Sequence, residues 1–172
     1  EGDAVWEAGR NGQWSMELLE AALSRSDTPC GLTDEDGRTQ NLIGTGELYK
    51  LVKDPAAYLV EHNDGFRSTL LMINGAIRDY CFAGKITGET NPVSNQFFLT
   101  PTPNVTYSAC LVAKIEEMFV TGKAPFPAER TLIVCGTLES CLQSRYQNHQ
   151  RLETPHLQVK YRAPTESHHA RA

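Results

Sequence analysis

Residues 58–73 read YLVEHNDGFRSTLLMI, two apolar runs on either side of Asn63-Asp64-Gly65. An Asp-Gly pair between two such runs is a strong hairpin pattern, because glycine adopts a positive φ without a steric penalty. The two runs are therefore predicted to pair as antiparallel strands. Asn74-Gly75, directly after them, marks a break or a bulge.

Further strands are predicted on both sides of this hairpin. Asp79 to Ile86 and Ser94 to Thr100 read as two more strands, separated by the turn-rich residues 88–92. Short turns between consecutive strands favour one four-stranded antiparallel meander. Ala4-Val5-Trp6 reads as a short strand at the start of the chain, and Leu157 to Tyr161 alternates apolar and polar residues as a final strand does.

The segment between the first predicted strand and the hairpin contains a helix and a long loop. Ser15 is placed to cap a helix that begins at Met16 and has apolar residues on one face. Residues 26–46 are rich in Gly, Asp, Asn and Thr, which is a loop composition. A loop of this length is either a contact for another domain or a ligand, or a plain surface excursion.

Two helical patterns fill the last third of the chain. The first is capped by Thr106 or Ser108 and ends at Gly122, and the second begins after a Pro-Phe-Pro elbow, with Glu129 in its first turn. Each has one apolar stripe, formed by Val112, Ile115, Met118 and Phe119 in the first and by Leu132, Cys135, Leu138 and Leu142 in the second.

Together these elements predict an α+β fold: an open-faced, mainly antiparallel sheet with helices packed on one face. We expect a single domain over residues 1–163 and a disordered tail over 164–172. The other face of the sheet is left to find a partner, so we expect a homo-oligomer that forms through it.

Composition narrows the classes of function. The chain of 172 residues has a net charge of -5 from 16 basic and 21 acidic residues, without a Lys/Arg cluster. Nucleic acid is therefore an unexpected partner, and no apolar run approaches the ~20 residues of a membrane span. The five cysteines form no C-x-x-C pair, which favours reduced, buried thiols. The acidic residues Glu1-Gly2-Asp3 are not followed by the apolar segment of a secretory signal, so a cytoplasmic location is expected.

Several stretches, in this order and spacing, resemble the C-terminal half of the Gfo/Idh/MocA-type oxidoreductases, named for glucose-fructose oxidoreductase and inositol dehydrogenase. The stretches are Glu1–Trp6, Asp64–Arg67, Leu71–Gly75, Glu116–Lys123, Pro125–Leu132, Leu138–Ser140, Ser144–Tyr146 and Glu153–Leu157. The resemblance implies a C-terminal α+β domain whose N-terminal Rossmann partner binds NAD(P). It also implies redox chemistry on sugars, cyclitols or related alcohols.

The residues that perform that chemistry in the family are missing from this sequence. The family's catalytic lysine lies in a Glu-Lys-Pro motif, which does not occur here, and no G-x-G-x-x-G loop is present. Gly44-Thr45-Gly46 is followed by Glu-Leu-Tyr-Lys and not by a further glycine. We therefore expect no catalytic residue, no bound cofactor and no activity of this chain alone.

Four polar residues are candidates for contact with a substrate or an interface: Arg67, Asn74, Arg130 and His156. Arg67 and Asn74 lie on the strand and the break that could line the open face. For Glu129 and Arg130, a helix-dipole contact and an ion pair are the preferred interpretation, and His156 more simply closes a turn. No H-x-x-x-H pair predicts a metal site, and no G-x-S-x-G elbow predicts a catalytic triad.

Three hypotheses follow. The first is the substrate-side and oligomerisation domain of an NAD(P)-dependent oxidoreductase, without its nucleotide-binding domain. The second is a free-standing dimerisation or small-molecule-binding module with no redox activity. The third is an unrelated, cofactor-free α+β enzyme.

Overall fold

A computed structural model describes residues 1–27, 41–98 and 105–163 of the chain. These fall into two compact units, residues 1–99 and residues 100–172, each described separately below. The units contain helices and two small antiparallel sheets, so the class is mixed α+β. The predicted single domain over 1–163 stays a prediction, and the tail at 164–172 lies outside the described residues.

The first unit opens with two short helices. Helix α1 spans Asp3–Arg10 and buries Val5, Trp6 and Gly9, whose spacing places them on one side of a helix. The predicted strand at Ala4-Val5-Trp6 is therefore wrong. Helix α2 spans Met16–Leu23, and the Ser15 hydroxyl accepts a hydrogen bond from the Leu18 amide at 3.2 Å, which confirms the predicted cap.

The first hairpin forms as predicted. Strand β1 (Ala56–Glu61) pairs antiparallel with strand β2 (Arg67–Met72), and Glu61 lies opposite Arg67 next to the turn. Gly65 has φ 84°, and the Phe66 amide donates to Asp64 Oδ1 at 3.0 Å. The Asp-Gly pair thus supplies both the positive φ and a side-chain acceptor for the turn.

The second hairpin is separate from the first. Strand β3 (Cys81–Gly84) pairs antiparallel with strand β4 (Val93–Gln96), and each hairpin forms its own two-stranded sheet. The predicted four-stranded meander is therefore wrong. The chain turns at Gly75, which has φ 102° and lies against the Leu51 carbonyl, and this turn separates β2 from β3.

One apolar core holds the first unit together. Helix α3 (Glu47–Leu51) follows Gly46, a left-handed residue with φ 75°, and contributes the fully buried Leu48. The buried side chains come from all three helices and from the segments around them: Val5, Trp6, Trp14, Leu19, Leu42, Leu48, Val52, Ile73 and Ala76. At ~25 cal/mol per Å² of buried apolar surface, such a cluster is the main stabilising term of a small unit.

The second unit contains two long helices and a short 3-10 turn. Helix α4 (Val105–Thr121) is followed by Gly122 with φ 66°, as predicted, although the helix already begins at Val105 and not after Thr106 or Ser108. Helix α5 spans Ala128–Tyr146 with Glu129 in its first turn. The His149 amide donates to the Ser144 carbonyl and the Asn148 amide to the Arg145 carbonyl, which is a Schellman end with Asn148 at φ 59°.

The predicted last strand is also wrong. Pro155–Leu157 forms a 3-10 turn, and residues 158–163 join no ladder among the described strands. The Leu157 side chain lies on Gly136 of α5, where the absence of a Cβ leaves room for it. Leu157, the first residue of the alternating run, thus contacts a helix and not a neighbouring strand.

Candidate functional site

Arg67 and Asn74 lie at opposite ends of strand β2 and its extension. Arg67 is the first residue of the strand and is exposed, whereas Asn74 forms an isolated bridge with Ile77 beyond its last residue. Seven residues of extended chain separate the two Cα atoms by roughly 20 Å. The structure therefore does not bring these two candidates together.

Arg130 and His156 belong to the second unit. The Arg130 guanidinium carbon lies 4.4 Å from the centroid of the Phe126 ring, a cation–π contact within the proline elbow. This contact occupies the side chain for which an ion pair was the preferred interpretation. His156 is exposed within the 3-10 turn, beside Leu157 and its contact with α5.

A polar cluster that the sequence analysis did not identify surrounds Asp79 in the first unit. Asp79 Oδ2 accepts hydrogen bonds from the Ser26 hydroxyl at 3.0 Å, the Asp27 amide at 3.1 Å and Gln96 Nε2 at 2.9 Å. Asp79 Oδ1 accepts one from Cys81 Sγ at 3.5 Å. The carboxylate thus ties the chain after α2 to the start of β3 and the end of β4.

This cluster is suited to anchoring and not to nucleophilic chemistry. Burial, and after it the charge of Asp79, raises the pKa of the Cys81 thiol from 9.0 to about 11. The thiol therefore stays protonated near neutral pH, where a nucleophile or a metal ligand would have to be a thiolate. Among the described residues, no group of three or more His, Cys, Asp and Glu side chains could hold a metal ion.

The other notable feature of the first unit is an exposed aromatic surface on the second hairpin. Phe82 lies directly opposite Asn95, and the Phe97 amide donates to the Tyr80 carbonyl at 2.8 Å, so the ladder continues one pair beyond the strands. Alternate residues share a face, and we call the set Tyr80, Phe82, Val93, Asn95 and Phe97 the aromatic face. Tyr80, Phe82 and Phe97 are 67%, 49% and 53% exposed.

The opposite face of this hairpin lies toward α2, which contacts both strands. Its residues are small or polar and half-buried: Cys81, Ala83, Ser94 and Gln96. The Arg25 Nε donates to the Ser94 hydroxyl at 2.8 Å across this contact. The unit therefore covers the polar side of the hairpin with its own helix and leaves the aromatic side bare.

The first hairpin carries a smaller apolar surface. Residues that alternate on one of its faces include Tyr58, Val60, Leu70 and Met72, with Tyr58 opposite Leu70. Leu70 and Met72 are exposed, whereas Tyr58 and Val60 are already half-buried. The other face contacts the core through Ala57 and Leu71.

No protein-family model, curated protein or solved structure matches this chain. Within the described segments, no helix is both long enough and apolar enough to cross a membrane.

Helices α4 and α5 of the second unit also display apolar side chains. The members of both predicted stripes, from Val112 on α4 to Leu142 on α5, are exposed. Cys135 is exposed as well, and Cys81, Cys110 and Cys141 are half-buried free thiols. The expectation of buried cysteines is wrong for these four, the expectation of reduced ones stays a prediction, and Cys30 lies outside the described residues.

Proposed function

We propose that this chain is the substrate-side and oligomerisation domain of a Gfo/Idh/MocA-like, NAD(P)-dependent oxidoreductase that acts on a sugar, a cyclitol or a related alcohol. The observation that carries the proposal is the bare aromatic face of the second hairpin. Contiguous apolar surface on a folded unit marks a site of contact with another protein surface. The ordered resemblance over most of the chain supplies the family.

The hairpins support the open-faced part of this proposal. In each hairpin one face lies toward the unit's own helices or core, and the other carries exposed apolar residues. An antiparallel sheet with one uncovered apolar face leaves that face for a second subunit or domain. Helices α4 and α5 of the second unit also display apolar stripes.

Hydride transfer is assigned to a nucleotide-binding domain outside this chain. The strongest glycine-rich stretch, Gly44-Thr45-Gly46, leads into a helix of only five residues that begins with Glu47. A carboxylate in the first helical turn opposes a pyrophosphate, which needs the positive end of a helix and close backbone approach. NAD(P) is therefore the cofactor of the missing domain.

The free thiols support a cytoplasmic location. Cys81, Cys110, Cys135 and Cys141 are unpaired. Disulfides are the rule in small secreted domains, and reduced cysteines are typical of the cytosol.

A free-standing dimerisation or small-molecule-binding module is the second candidate function. It is favoured by the continuous core of the first unit, in which Leu48 and Ala76 are fully buried without any contribution from another domain. Such a module would use the same aromatic face and would have no redox partner.

Two measurements test the proposal. Sequencing the gene upstream of this segment should reveal, in frame, a Rossmann domain with a G-x-G-x-x-G loop, and a stop codon there would favour the free-standing module. Calorimetric titration of this chain with NADH and with NADPH should give no heat of binding. Micromolar affinity for either nucleotide would overturn the assignment of the cofactor to another domain.

A further inference from the structure

We infer that Asn74-Gly75, at the turn that separates the two hairpins, is a site of spontaneous covalent modification, where the backbone rearranges through a cyclic succinimide. The inference concerns the chemistry of this chain alone and does not depend on the oxidoreductase role proposed above. Among the described residues, two other pairs are open to the same reaction, Asn11-Gly12 and Asp64-Gly65. The structure distinguishes the three pairs by what holds the glycine amide.

The reaction joins the side chain of an asparagine to the backbone of the next residue. The backbone nitrogen of Gly75 attacks the side-chain carbonyl carbon Cγ of Asn74, and a C–N bond forms. The amide proton of Gly75 passes through solvent to the side-chain nitrogen of Asn74, which leaves as ammonia. Water then opens the ring at either of its two carbonyl groups, giving an aspartate or an isoaspartate, in which the main chain runs through Cβ. Glycine favours the attack because it has no Cβ to hinder the approach.

In the two competing pairs, the attacking nitrogen already donates a hydrogen bond. The Gly12 amide donates to the Gly9 carbonyl at 3.0 Å at the end of α1, and the Gly65 amide donates to the His62 carbonyl at 2.9 Å. The Asp64 side chain is held as well, because its Oδ1 accepts a hydrogen bond within the turn. Attack in either pair therefore has to break a hydrogen bond first.

The turn at Asn74-Gly75 is closed by a different amide. Ala76, one residue further on, donates to the Ile73 carbonyl at 3.1 Å. This hydrogen bond spans the reactive pair and does not use the Gly75 nitrogen. Asn74 and Gly75 are both exposed, so water and base reach them. Of the three pairs, this one is therefore expected to react fastest in the folded chain.

The fold itself requires the glycine of this pair. Gly75 has φ 102°, and a Cβ there would lie 2.5 Å from the Leu51 carbonyl oxygen. Replacing the glycine would strain the turn, so the reactive pair persists unless Asn74 changes.

The modification acts on the core of the first unit. Ile73 and Ala76, on either side of the pair, are 8% and 0% exposed. An isoaspartate inserts one further backbone atom between these two buried residues, and a close-packed core tolerates such a displacement poorly. Either product also adds a negative charge to a chain whose net charge is already -5. We therefore expect the modified chain to unfold at a lower urea concentration.

Ageing of the full 172-residue chain in mildly alkaline buffer tests the inference. Peptide mass spectrometry follows the replacement of the amide by a carboxyl group, and electron-transfer fragmentation identifies the isoaspartate. In the folded chain, Asn74 should be converted about 10-fold faster than Asn11, the factor that one net hydrogen bond contributes. In guanidinium chloride the two rates should become equal, because both pairs have the same sequence.

Two variants complete the test. Asn74→Gln has a longer side chain that closes the ring far more slowly, so it should abolish both the conversion of this peptide and the loss of stability on ageing. Asn11→Gln is the matched control and should leave both unchanged. A folded chain in which Asn11 reacts as fast as Asn74 would overturn the inference, and so would a ratio of rates that is the same in guanidinium chloride.

Discussion

Replacing Gly9 by alanine should destabilise the first unit, although alanine is the better helix former. A Cβ at Gly9 would lie 2.5 Å from Trp14 Cζ2 and 2.8 Å from Cε2 and Cη2. Carbon atoms in favourable contact are 3.5–4.0 Å apart, so the indole would have to move by about 1 Å. Trp14 is buried, and its Nε1 donates to the Val5 carbonyl at 3.0 Å, so this movement also strains a hydrogen bond.

The sizes of the gain in helix propensity and of the overpacking cost decide whether Gly9→Ala stabilises or destabilises the unit. Alanine gains about 1 kcal/mol over glycine in a helix, and overpacking costs about 1–3 kcal/mol. We therefore expect Gly9→Ala to lower the free energy of unfolding by about 1 kcal/mol. In a Trp14→Leu background the clash is absent, and the same substitution should raise that free energy by about 1 kcal/mol, a coupling of about 2 kcal/mol.

Urea unfolding followed by tryptophan fluorescence measures this cycle. The chain has two tryptophans, Trp6 and Trp14, and both lie in the first unit, so the signal reports that unit alone. Trp6 remains as the reporter in the Trp14→Leu background. If Gly9→Ala destabilises both backgrounds equally, the contact between Gly9 and the indole does not explain the glycine.

Three further predictions use the same unit. Gly75→Ala would place a Cβ 2.5 Å from a backbone oxygen at a residue with φ 102°. It should therefore lower the free energy of unfolding, measured in urea, by at least about 3 kcal/mol. Gly65→Ala, at φ 84° in open space, should cost only about 1 kcal/mol, and equal losses would contradict the steric argument. Ser15→Ala should lower the free energy of unfolding by about 1 kcal/mol, and Ser15→Asp should leave it unchanged, because the cap needs only a hydrogen-bond acceptor. The pKa of the Cys81 thiol rises from 9.0 to about 11 through burial and the Asp79 charge, so the folded state keeps its proton longer than the unfolded state. The associated stability should be present below pH 9 and lost as the pH rises toward 11. Asp79→Asn should lower the pH at which iodoacetamide alkylates Cys81, as measured by peptide mass spectrometry, and identical profiles would contradict this cause.

Local patterns were sufficient for some elements of the fold and misleading for others. The Asp64-Gly65 turn and the Ser15 cap depend on residues within three positions of each other, and both were predictable. The three residues Ala4-Val5-Trp6 are too few to distinguish the helical period of about 3.6 residues from the strand period of about 2, so the sequence predicts a strand there. Only Gly9, one helical turn beyond Val5, shows that the buried side has the helical spacing.

The predictions of strand pairing between distant parts of the chain were wrong for a different reason. Four consecutive strands fit a meander equally well as one sheet or as two hairpins, and the choice depends on how the chain turns at Gly75. Likewise, Leu157 lies against Gly136, a helix position about 20 residues earlier, and not against another strand. Sequence spacing contains no information on either contact.

The two surfaces of the second hairpin also differ in how far they can be predicted from sequence spacing. The Asp79 cluster could not be predicted, because two of its donors, Ser26 and Asp27, lie more than 50 residues away along the chain. The aromatic face, in contrast, follows from alternation once the strands are assigned, since Tyr80 and Phe82 must share a side. The usual expectation is that such rings point toward the unit's own helix, with small and polar residues outward. This hairpin has the reverse arrangement, because Ser94 and its half-buried neighbours face α2. In this inverted hairpin the rings of Tyr80, Phe82 and Phe97 stay about half exposed or more.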